Sequence, residues 1–368
     1  MGKPKVYLAD LRADSQRNLL DKLDELLEKV GVGERFTKGQ LVGIKLHFGE
    51  KGNTSYIRPV FVRKVIDGIK ETGARPFLTD TNTLYVGRRT NTVSHIECAI
   101  LNGFGFAAMA APVVIADGLR GESKEAVEVN GKHLKEVSIA KEICEASGLV
   151  VLTHFKCHEL TGMGGALKNV GMGCASREGK LAQHSNCAPI VDETGCTACG
   201  ECALICPADA IEIGKAAVID EKLCIGCSHC IAVCPEGTIN VQWNENASGV
   251  QEKMVEHAKG ALKGKDGRCV YVSFITQVSP LCDCYGHTDA PIVPDVGIAA
   301  SVDPVALDRA CADLVNRQEG YKGTALSAGH EPGGDKFRGV HPDIDWEVQL
   351  NYGEEAGLGT KDYELEEV

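Results

Sequence analysis

Short apolar runs alternate with longer amphipathic segments along the first part of the chain. The runs Val6–Ala9, Leu41–His47 and Pro76–Thr79 predict buried strands, because apolar residues dominate them. Between these runs, apolar residues recur at helical spacing in Ser15–Val30 and in the segment that starts at Pro59. Strands that alternate with helices at this length predict βαβ units, and therefore an α/β fold with a mixed, mostly parallel sheet flanked by helices.

The same alternation continues on both sides of a cysteine-rich stretch in the middle of the chain. Leu149–Thr153 and Val270–Ile275 predict two further buried strands, and Val250–Leu262 predicts an amphipathic helix. Asp303 and Pro304 predict the N-cap and first position of another helix. The remaining predicted elements are a helix over Val93–Asn102, a strand over Val113–Ala116, a strand-like tail over Tyr363–Val368, and a hairpin of Val127–Val129 with Leu134–Ile139 around a two-residue Asn130-Gly131 turn.

Polar residues stand at the ends of two early strands. His47 closes the second predicted strand, and Asp80 and Asn82 follow the third. Ligands of open parallel sheets bind beyond the carboxyl ends of the strands, so these three are candidate pocket residues. The alternative for each of them is a helix cap or a solvated turn.

One cysteine pattern is written twice between Cys196 and Pro235. The two copies are Cys196-x-x-Cys199-x-x-Cys202-x-x-x-Cys206-Pro207 and Cys224-x-x-Cys227-x-x-Cys230-x-x-x-Cys234-Pro235. Three closely spaced thiolates bind one 4Fe–4S cluster, and the Cys before Pro binds the cluster of the other half. We therefore assign Cys196, Cys199, Cys202 and Cys234 to one cluster, and Cys224, Cys227, Cys230 and Cys206 to the other.

A zinc ribbon and a disulfide framework are the alternatives for this stretch. Zinc sites use two pairs of ligands rather than a triplet with a Cys-Pro, and disulfide frameworks belong to small secreted domains. The spacing favours two 4Fe–4S clusters in an α+β ferredoxin-like module over residues 189–243. We expect this module to be inserted into one α/β domain made of residues 1–188 and 244–368. Two separate α/β domains linked by the module are the alternative.

Imidazoles and an amine follow the strand predicted in residues 149–153. His154, Lys156 and His158 occupy alternate positions, so in an extended chain they share one side while Cys157 faces the other. A glycine-rich turn then leads into a helix near Ala166, and its free backbone amides suit an anion. The alternative is that the glycines serve only the geometry of the turn. The spacing matches neither a Walker A motif nor a dinucleotide fingerprint.

Cys282 and Cys284 lie two residues apart in a loop after a predicted strand. Two thiols at this spacing suit a third metal site, with Cys157, His154 or His158 as further ligands, or a redox pair. The alternative is two buried apolar thiols without chemistry.

Composition narrows the class of protein. The 368 residues carry a formal net charge of −12, which argues against a nucleic-acid partner. No apolar run approaches the length of a membrane span or of a signal peptide. Eight of the 17 cysteines belong to the repeated motif and the rest are scattered, which indicates a reducing compartment, so we expect a cytoplasmic protein.

Acidic residues outnumber basic ones around the repeated motif, which favours a basic redox partner protein. The acidic residues are Glu193, Glu201, Asp209, Glu212, Asp220, Glu221 and Glu236, and the basic ones are Lys215 and Lys222.

Several segments carry a family resemblance. They are Val42-Gly43-Ile44-Lys45-Leu46-His47-Phe48-Gly49, His154-Phe155-Lys156-x-His158 with Gly165-Ala166-Leu167-Lys168-Asn169, Cys282-Asp283-Cys284 and Asp303-Pro304-Val305-Ala306-Leu307-Asp308. With the repeated cysteine motif, they make the chain resemble the uncharacterised family called domain of unknown function 362, in the form that carries a bacterial-type two-cluster ferredoxin. The resemblance implies an iron–sulfur protein and no common reaction or catalytic residue.

Two classes of function are open at this stage. The first is an iron–sulfur electron-transfer protein or oxidoreductase, whose clusters connect an external donor to a site for a small anionic substrate. The second is non-catalytic: an iron–sulfur assembly factor, a metal or sulfur carrier, or a redox sensor, which the excess thiols favour. The candidate residues of the substrate site are His47, His154, Lys156, His158 and Lys168, with Cys282 and Cys284 as further candidates.

Overall fold

Strands and helices alternate through the computed structural model, which describes residues 2–85, 87–185 and 187–368. The strands are β1 (Lys5–Asp10), β2 (Leu41–Lys45), β3 (Arg75–Asp80), β4 (Val113–Ile115), β5 (Lys124–Glu128), β6 (Glu136–Ala140), β7 (Gly148–His154), β8 (Lys156–His158), β9 (Gly162–Gly164), β10 (Ile190–Val191), β11 (Ile211–Ile213), β12 (Ala217–Ile219), β13 (Ile239–Asn240), β14 (Cys269–Ile275), β15 (Gly297–Ser301) and β16 (Glu364–Glu367). The α-helices are α1 (Leu19–Lys29), α2 (Val32–Arg35), α3 (Pro59–Glu71), α4 (Thr92–Ala99), α5 (Phe106–Met109), α6 (Lys141–Glu145), α7 (Ala166–Gly171), α8 (Arg177–His184), α9 (Glu201–Leu204), α10 (His229–Val233), α11 (Ala247–Leu262), α12 (Pro304–Asn316), α13 (Lys336–Val340) and α14 (Val348–Glu355).

Among the residues that the structure describes, the main sheet has eight strands in the order β16-β1-β15-β14-β7-β2-β3-β4. All of them run in one direction except β15, which is antiparallel to both of its neighbours. This confirms the predicted α/β class with a mixed, mostly parallel sheet. Strands from before residue 189 and from after residue 243 take part in it together.

Side chains of β7 alternate between two hydrophobic layers, one on each face of the sheet. Leu149 and Val151 pack in a layer that includes residues of α7, α11 and α12. Val150 and Leu152 pack in a second layer that includes residues of α1 and α3. All seven residues of β7 are buried, which explains why the strand reads as a continuous apolar run in the sequence.

Side-chain caps decide where two of the helices begin. The helix predicted over residues 15–30 starts only at Leu19, because Asn18 accepts hydrogen bonds from the amides of Leu20 and Asp21 while the Asp21 carboxylate accepts one from the Asn18 amide. Asp303 caps α12 as predicted, since its carboxylate accepts from the next helical amides. None of the helices in the described ranges has the length and apolar character needed to cross a lipid bilayer.

The hairpin of β5 and β6 forms a separate two-stranded sheet with a longer loop than predicted. Its tight turn is closed by a 2.8 Å hydrogen bond from the Gly131 amide to the Leu134 carbonyl, so the prediction of a two-residue Asn130-Gly131 turn is wrong. The Leu134 amide donates to a carboxylate oxygen of Glu256 in α11 at 2.9 Å. This long-range contact holds the larger loop against the helix.

The cysteine-rich segment, residues 189–243, is built from two similar halves. Its strands pair antiparallel as β10 with β13 and β11 with β12. Each half therefore places one short helix, α9 or α10, between two short strands. The first strand of the first half, β10, thus pairs with the last strand of the second half, β13, and the two strands between them in sequence, β11 and β12, pair with each other.

At one edge of the main sheet, β16 pairs in parallel with β1. Three of its four residues are glutamates, Glu364, Glu366 and Glu367. Glu366 forms ion pairs with Lys5 at 2.9 Å and with Lys29 at 2.7 Å, which tie the strand to β1 and α1.

We predict that Ile44→Ala lowers the free energy of unfolding by about 2–5 kcal/mol, because Ile44 is fully buried in β2 and its loss leaves a cavity between strand and helices. The matched control is Leu41→Ala on the same strand, where the side chain is 51% exposed and the expected change is within about 0.5 kcal/mol. Urea unfolding followed by circular dichroism measures both. Equal losses in the two variants would contradict the assignment of the core layer.

Candidate functional site

A cavity of about 170 Å³ lies at the carboxyl edge of the main sheet; we call it the sheet-edge cavity. Its wall includes Lys45 from the end of β2, Asp80 from the end of β3 and His154 from the end of β7. Parallel strands bring their carboxyl ends to the same edge, so these three residues meet although they are far apart in sequence. The cavity is therefore where this topology favours a ligand.

Most of the side chains proposed from the sequence meet in this cavity. Asp80 lies in the wall as expected, but Asn82 does not. The Asn82 side-chain amide instead donates to Asp117 at 2.9 Å, so the prediction of Asn82 as a pocket residue is wrong and its role is structural. Cys157 also lies outside the wall, in the hydrophobic layer under β7. The predicted site residues that line the cavity are His47, His154, Lys156, His158, Lys168, Cys282 and Cys284.

An ion pair lies at the end of β2 and β3. The Lys45 ammonium is 3.0 Å from Asp80 Oδ1 and donates to Asn169 Oδ1 at 2.7 Å. The Asn169 amide in turn donates to the Leu152 carbonyl at 2.8 Å, which connects α7 to β7. Burial opposes ionisation of Asp80, but Lys45 and the neighbouring cations outweigh it and hold the pKa of this carboxyl well below its ordinary range. Both side chains are buried, so the pair is a fixed part of the wall.

Two further cations of the wall are buried and were not foreseen. Arg89 Nε lies 3.2 Å from Glu50 Oε2, and an Arg89 terminal nitrogen donates to the Tyr85 hydroxyl at 3.0 Å. Lys180 of α8 donates to Thr81 Oγ1 at 2.6 Å. Burial lowers the pKa of Lys180 to about 8, close enough to neutrality for this amine to exchange protons.

Asp283 is fully buried and holds three side chains of the site. His154 Nδ1 lies 2.9 Å and the Lys156 ammonium 3.1 Å from its carboxylate oxygens, and Ser55 Oγ donates to it at 3.0 Å. His154 Nε2 faces the Thr276 carbonyl at 2.9 Å. Carboxylate and carbonyl oxygens only accept, so both bonds of His154 form when both ring nitrogens carry hydrogen. Burial disfavours the Asp283 anion, but His154 and Lys156 hold its pKa well below the ordinary range.

The thiols of Cys282 and Cys284 both line the cavity and have opposite acidities. Hydrogen bonding from Cys284, with Lys168 and His158 nearby, outweighs burial and holds the pKa of Cys282 well below its usual range. Hydrogen bonding to Cys282 together with burial raises the pKa of Cys284 well above that range. The directions of these two shifts favour ionisation at Cys282 rather than at Cys284.

His47 and His158 have the same local arrangement. The Gly49 amide donates to His47 Nδ1 at 2.9 Å, and the Leu160 amide donates to His158 Nδ1 at 3.1 Å. An Nδ1 that accepts leaves Nε2 to carry the hydrogen in the neutral ring. Both imidazoles can therefore offer an N–H donor. Burial lowers the pKa of His47 to about 3, so this ring stays neutral at physiological pH.

The remaining part of the wall combines a free cation with an aromatic pair. The Lys168 ammonium makes no hydrogen bond or ion pair with any residue in the part of the chain that the structure describes. His184 and Trp243 pack edge to face with ring centroids 4.8 Å apart. His184 Nδ1 is buried and has no hydrogen-bond partner among the described residues. Lys168 and His184 thus leave binding capacity for a ligand in the cavity.

The glycine-rich turn before α7 does not offer free amides to an anion. The amides of Ala166 and Leu167 donate to the two carboxylate oxygens of Asp308 at 2.6 and 2.9 Å. Asp308 comes from α12, and burial raises its pKa to about 7. The predicted anion site at this turn is therefore wrong, because a carboxylate of the protein itself occupies these donors.

Each half of the cysteine-rich segment surrounds one small cavity, and each cavity is lined by four cysteines. In both cases three come from one copy of the motif and the fourth from the Cys-Pro of the other copy. One set is Cys224, Cys227, Cys230 and Cys206, and the other is Cys196, Cys199, Cys202 and Cys234.

The backbone repeats between the two halves as the cysteines do. Ala198 and Gly200 have φ angles of 53° and 84°, and Gly226 and Ser228, at the same positions of the second copy, have 72° and 55°. Left-handed residues at alternate positions turn successive backbone amides toward one centre, an arrangement that favours anions. Two non-glycine residues hold this strained conformation, which indicates a constraint on the loops.

Backbone amides also approach the Cys-Pro sulfurs in the same way in both halves. The Ala210 amide donates to Cys206 Sγ at 3.3 Å, and the Thr238 amide donates to Cys234 Sγ at 3.4 Å. Hydrogen bonds to sulfur favour its thiolate form.

Two leucines join the cysteine-rich segment to the sheet-edge cavity. Leu84 and Leu181 belong to the same hydrophobic cluster as Cys202 and Cys230. Leu84 also lines the sheet-edge cavity. Side chains packed in one cluster therefore reach from the wall of this cavity to the cysteine-lined cavities.

Cys282 and Cys284 lack the surroundings of a metal site in the described ranges. Within residues 2–85, 87–185 and 187–368, no three His, Cys, Asp or Glu side chains converge closely enough to bind a single metal ion, and the groups of four cysteines around one cavity are the two sets described above. A third metal at these thiols remains a prediction from the sequence.

A family model described as Domain of unknown function (DUF362) matches residues 42–313, more than half of the chain. The chain belongs to this family. Its description assigns no function, and no curated protein matches this DUF362 member. The match spans every segment on which the sequence resemblance rests, from β2 to α12.

Two solved structures are similar to this DUF362 member over part of their length. The lactate racemase apoprotein from Thermoanaerobacterium thermosaccharolyticum is 14% identical, with 74% of this chain and 51% of that chain covered and a TM-score of 0.39. A crystal structure of a protein from Thermotoga maritima is 13% identical, with 80% and 57% covered and a TM-score of 0.42. The chain thus spans little more than half the length of the solved structures that it matches.

Because His184 is buried in the cavity wall, its protonation makes the stability of the folded protein depend on pH. Burial lowers the pKa of His184 to about 3 in the folded protein, against about 6.5 in the unfolded chain. Between pH 6.5 and pH 3, His184 binds a proton in the unfolded chain but not in the folded protein. The stability that this residue contributes is therefore complete above pH 6.5 and is lost as the pH falls toward 3.

We predict that wild type loses about 2 kcal/mol more unfolding free energy than His184→Gln between pH 7 and pH 5. Urea titrations at the two pH values measure the difference. The matched control is His287→Gln, because His287 is exposed. A pH response in His184→Gln equal to that of wild type would show that His184 is protonated in the folded state.

Proposed function

We propose that this DUF362 member is an iron–sulfur electron-transfer protein or redox enzyme, with two 4Fe–4S clusters in the cysteine-rich segment. The observation that carries the proposal is the composition of the two small cavities. Each is lined by four cysteines, three from one copy of the motif and one from the other. That interleaving is the ligand pattern of two-cluster ferredoxins.

The residues around each cavity fit such a cluster. Four thiolates supply the ligands, and the left-handed loops and the amides near Cys206 and Cys234 supply hydrogen bonds to sulfur. When bound, 4Fe–4S clusters exchange single electrons. We propose the ferredoxin-like module as an insertion over residues 189–243, because residues 1–188 and 244–368 contribute strands to one sheet.

Under this proposal, electrons pass from the two clusters to the sheet-edge cavity. Leu84 packs in one cluster with Cys202 and Cys230 and also lines the cavity. Packed side chains without intervening solvent favour electron transfer over short distances. A donor protein would approach the surface at Cys199, which is exposed and surrounded by acidic residues that favour a basic partner.

A small anion is the class of substrate that the cavity favours. Lys168 has no partner of its own in the described ranges, and Nε2 of His47 and of His158 offers an N–H donor in the neutral ring. Lys45 and Lys156, in contrast, are neutralised by Asp80 and Asp283. The uncompensated cation and the two donors would bind carboxylate or other oxyanion groups.

We predict about eight irons per anaerobically prepared chain, with an equal amount of acid-labile sulfide and EPR signals of reduced clusters after dithionite. Cys224→Ser combined with Cys227→Ser should leave about four irons. Adding Cys206→Ser to this double variant should remove no further iron, whereas adding Cys234→Ser should remove the rest, because Cys234 lines the other cavity.

The matched control for cysteine loss is Cys144→Ser, a partly buried thiol outside both cavities, which should keep all the iron. Stoichiometric zinc without iron, or clusters that do not reduce, would contradict the electron-transfer proposal. The opposite response to Cys206→Ser and Cys234→Ser would contradict only the interleaved assignment.

A further inference from the structure

Cys282 and Cys284 occupy one tight turn in the wall of the sheet-edge cavity. The Tyr285 amide donates to the Cys282 carbonyl at 3.2 Å, which closes a four-residue turn around both cysteines. The Cys284 amide donates to Cys282 Sγ at 3.4 Å. Residues two apart are separated by at most about 7 Å and by less in a turn, a distance that a disulfide spans.

The turn cannot drift away from the cavity, because Asp283 between the two cysteines is anchored. Its carboxylate binds His154 of β7 and Lys156 of β8, and its carbonyl accepts a 3.1 Å hydrogen bond from the Glu50 amide. A buried carboxylate with this many partners fixes the turn relative to the sheet. The two thiols therefore keep one position relative to each other and to the cavity.

The environment of these thiols differs from that of the other buried cysteines. Cys157, Cys174 and Cys311 lie in the hydrophobic layer of the sheet, where burial raises their pKa and keeps them as inert thiols. Cys282 instead accepts a hydrogen bond from the Cys284 amide at 3.4 Å and shares the cavity wall with Lys168 and His158. Thiols in such electropositive surroundings react, and those in apolar surroundings do not.

We propose that Cys282 and Cys284 form a dithiol–disulfide couple that exchanges with small anionic disulfides in the sheet-edge cavity. Cys282 is the attacking thiolate, Cys284 is the resolving thiol, and Lys168 binds the anionic group of the substrate. The inference deepens the proposed function by naming a redox group for the same cavity, but the exchange itself requires no cluster.

The exchange balances in two steps. The Cys282 thiolate attacks one sulfur of a disulfide R–S–S–R, forming a Cys282–S–S–R bond and releasing R–S⁻. The released thiolate takes the proton of Cys284, whose sulfur then attacks Cys282 and expels the second R–S⁻. The Cys282 thiolate and the Cys284 thiol together lose two electrons and become a disulfide, and the small disulfide gains these electrons and leaves as one thiol and one thiolate.

The test uses two probes of similar size, the anionic dithiodiglycolate and the neutral bis(2-hydroxyethyl) disulfide. Anaerobic protein is treated with limiting probe, the remaining thiols are blocked with N-ethylmaleimide, and the peptides are mapped by mass spectrometry. We expect a Cys282–Cys284 disulfide in wild type, a stable probe adduct on Cys282 in Cys284→Ser, and no adduct on Cys284 in Cys282→Ser. Cys144→Ser is the matched control and should behave as wild type.

The variant Lys168→Gln tests whether Lys168 recognises the negative charge of the probe. Lys168→Gln should slow reaction with dithiodiglycolate about tenfold or more and change the reaction with the neutral probe little, because only the anionic probe loses an ionic partner. Equal slowing with both probes would overturn the role of Lys168. Maleimide on both Cys282 and Cys284 in all treated wild-type protein, with no Cys282–Cys284 disulfide although the probe is consumed, would overturn the couple.

Iron content of the same samples separates this inference from the proposed function. Iron at about eight per chain with no Cys282–Cys284 disulfide overturns the dithiol couple alone. A Cys282–Cys284 disulfide in protein that binds no iron overturns the cluster proposal alone.

Discussion

Parallel strands end at a common edge of the sheet, and this constraint assembles the polar cavity. Lys45, Asp80 and His154 close three adjacent strands, so they meet without any local signal that pairs them. Buried charges at this edge require partners, because a charge without one costs several kcal/mol. The Lys45–Asp80 and Lys156–Asp283 pairs meet that requirement, and only the cations left over remain for a ligand. The hydrophobic layers on both sides of β7 hold the edge in place.

Local patterns were enough to predict most elements of the main sheet and one face of the site. The apolar runs identified its strands except β15, the antiparallel strand Gly297–Ser301, which was missed. Alternation placed His154, Lys156 and His158 on one side with Cys157 on the other. Arg89, Lys180 and Trp243 were missed. They come from loops and a helix whose position depends on packing against distant segments, and nothing in their immediate neighbours distinguishes them from surface residues.

The wrong predictions share one cause, a partner far away in sequence. The amides before α7 bind Asp308, the loop after β5 is held by Glu256, and Asn82 binds Asp117. In each case the local sequence pattern was present, but its hydrogen-bond donors bind a carboxylate from another element of the fold. Helix α1 is the exception, since Asn18 and Asp21 are close enough in sequence for their capping pattern to be recognised.

The glutamate-rich strand β16 has a consequence for how copies of the protein meet. An edge strand presents unpaired backbone donors and acceptors, and these can extend the sheet into a neighbouring molecule. Two copies that approached through β16 would bring Glu364, Glu366 and Glu367 of each strand together. Like charges at an edge repel, so the last strand of the chain completes the sheet and at the same time opposes aggregation through that edge.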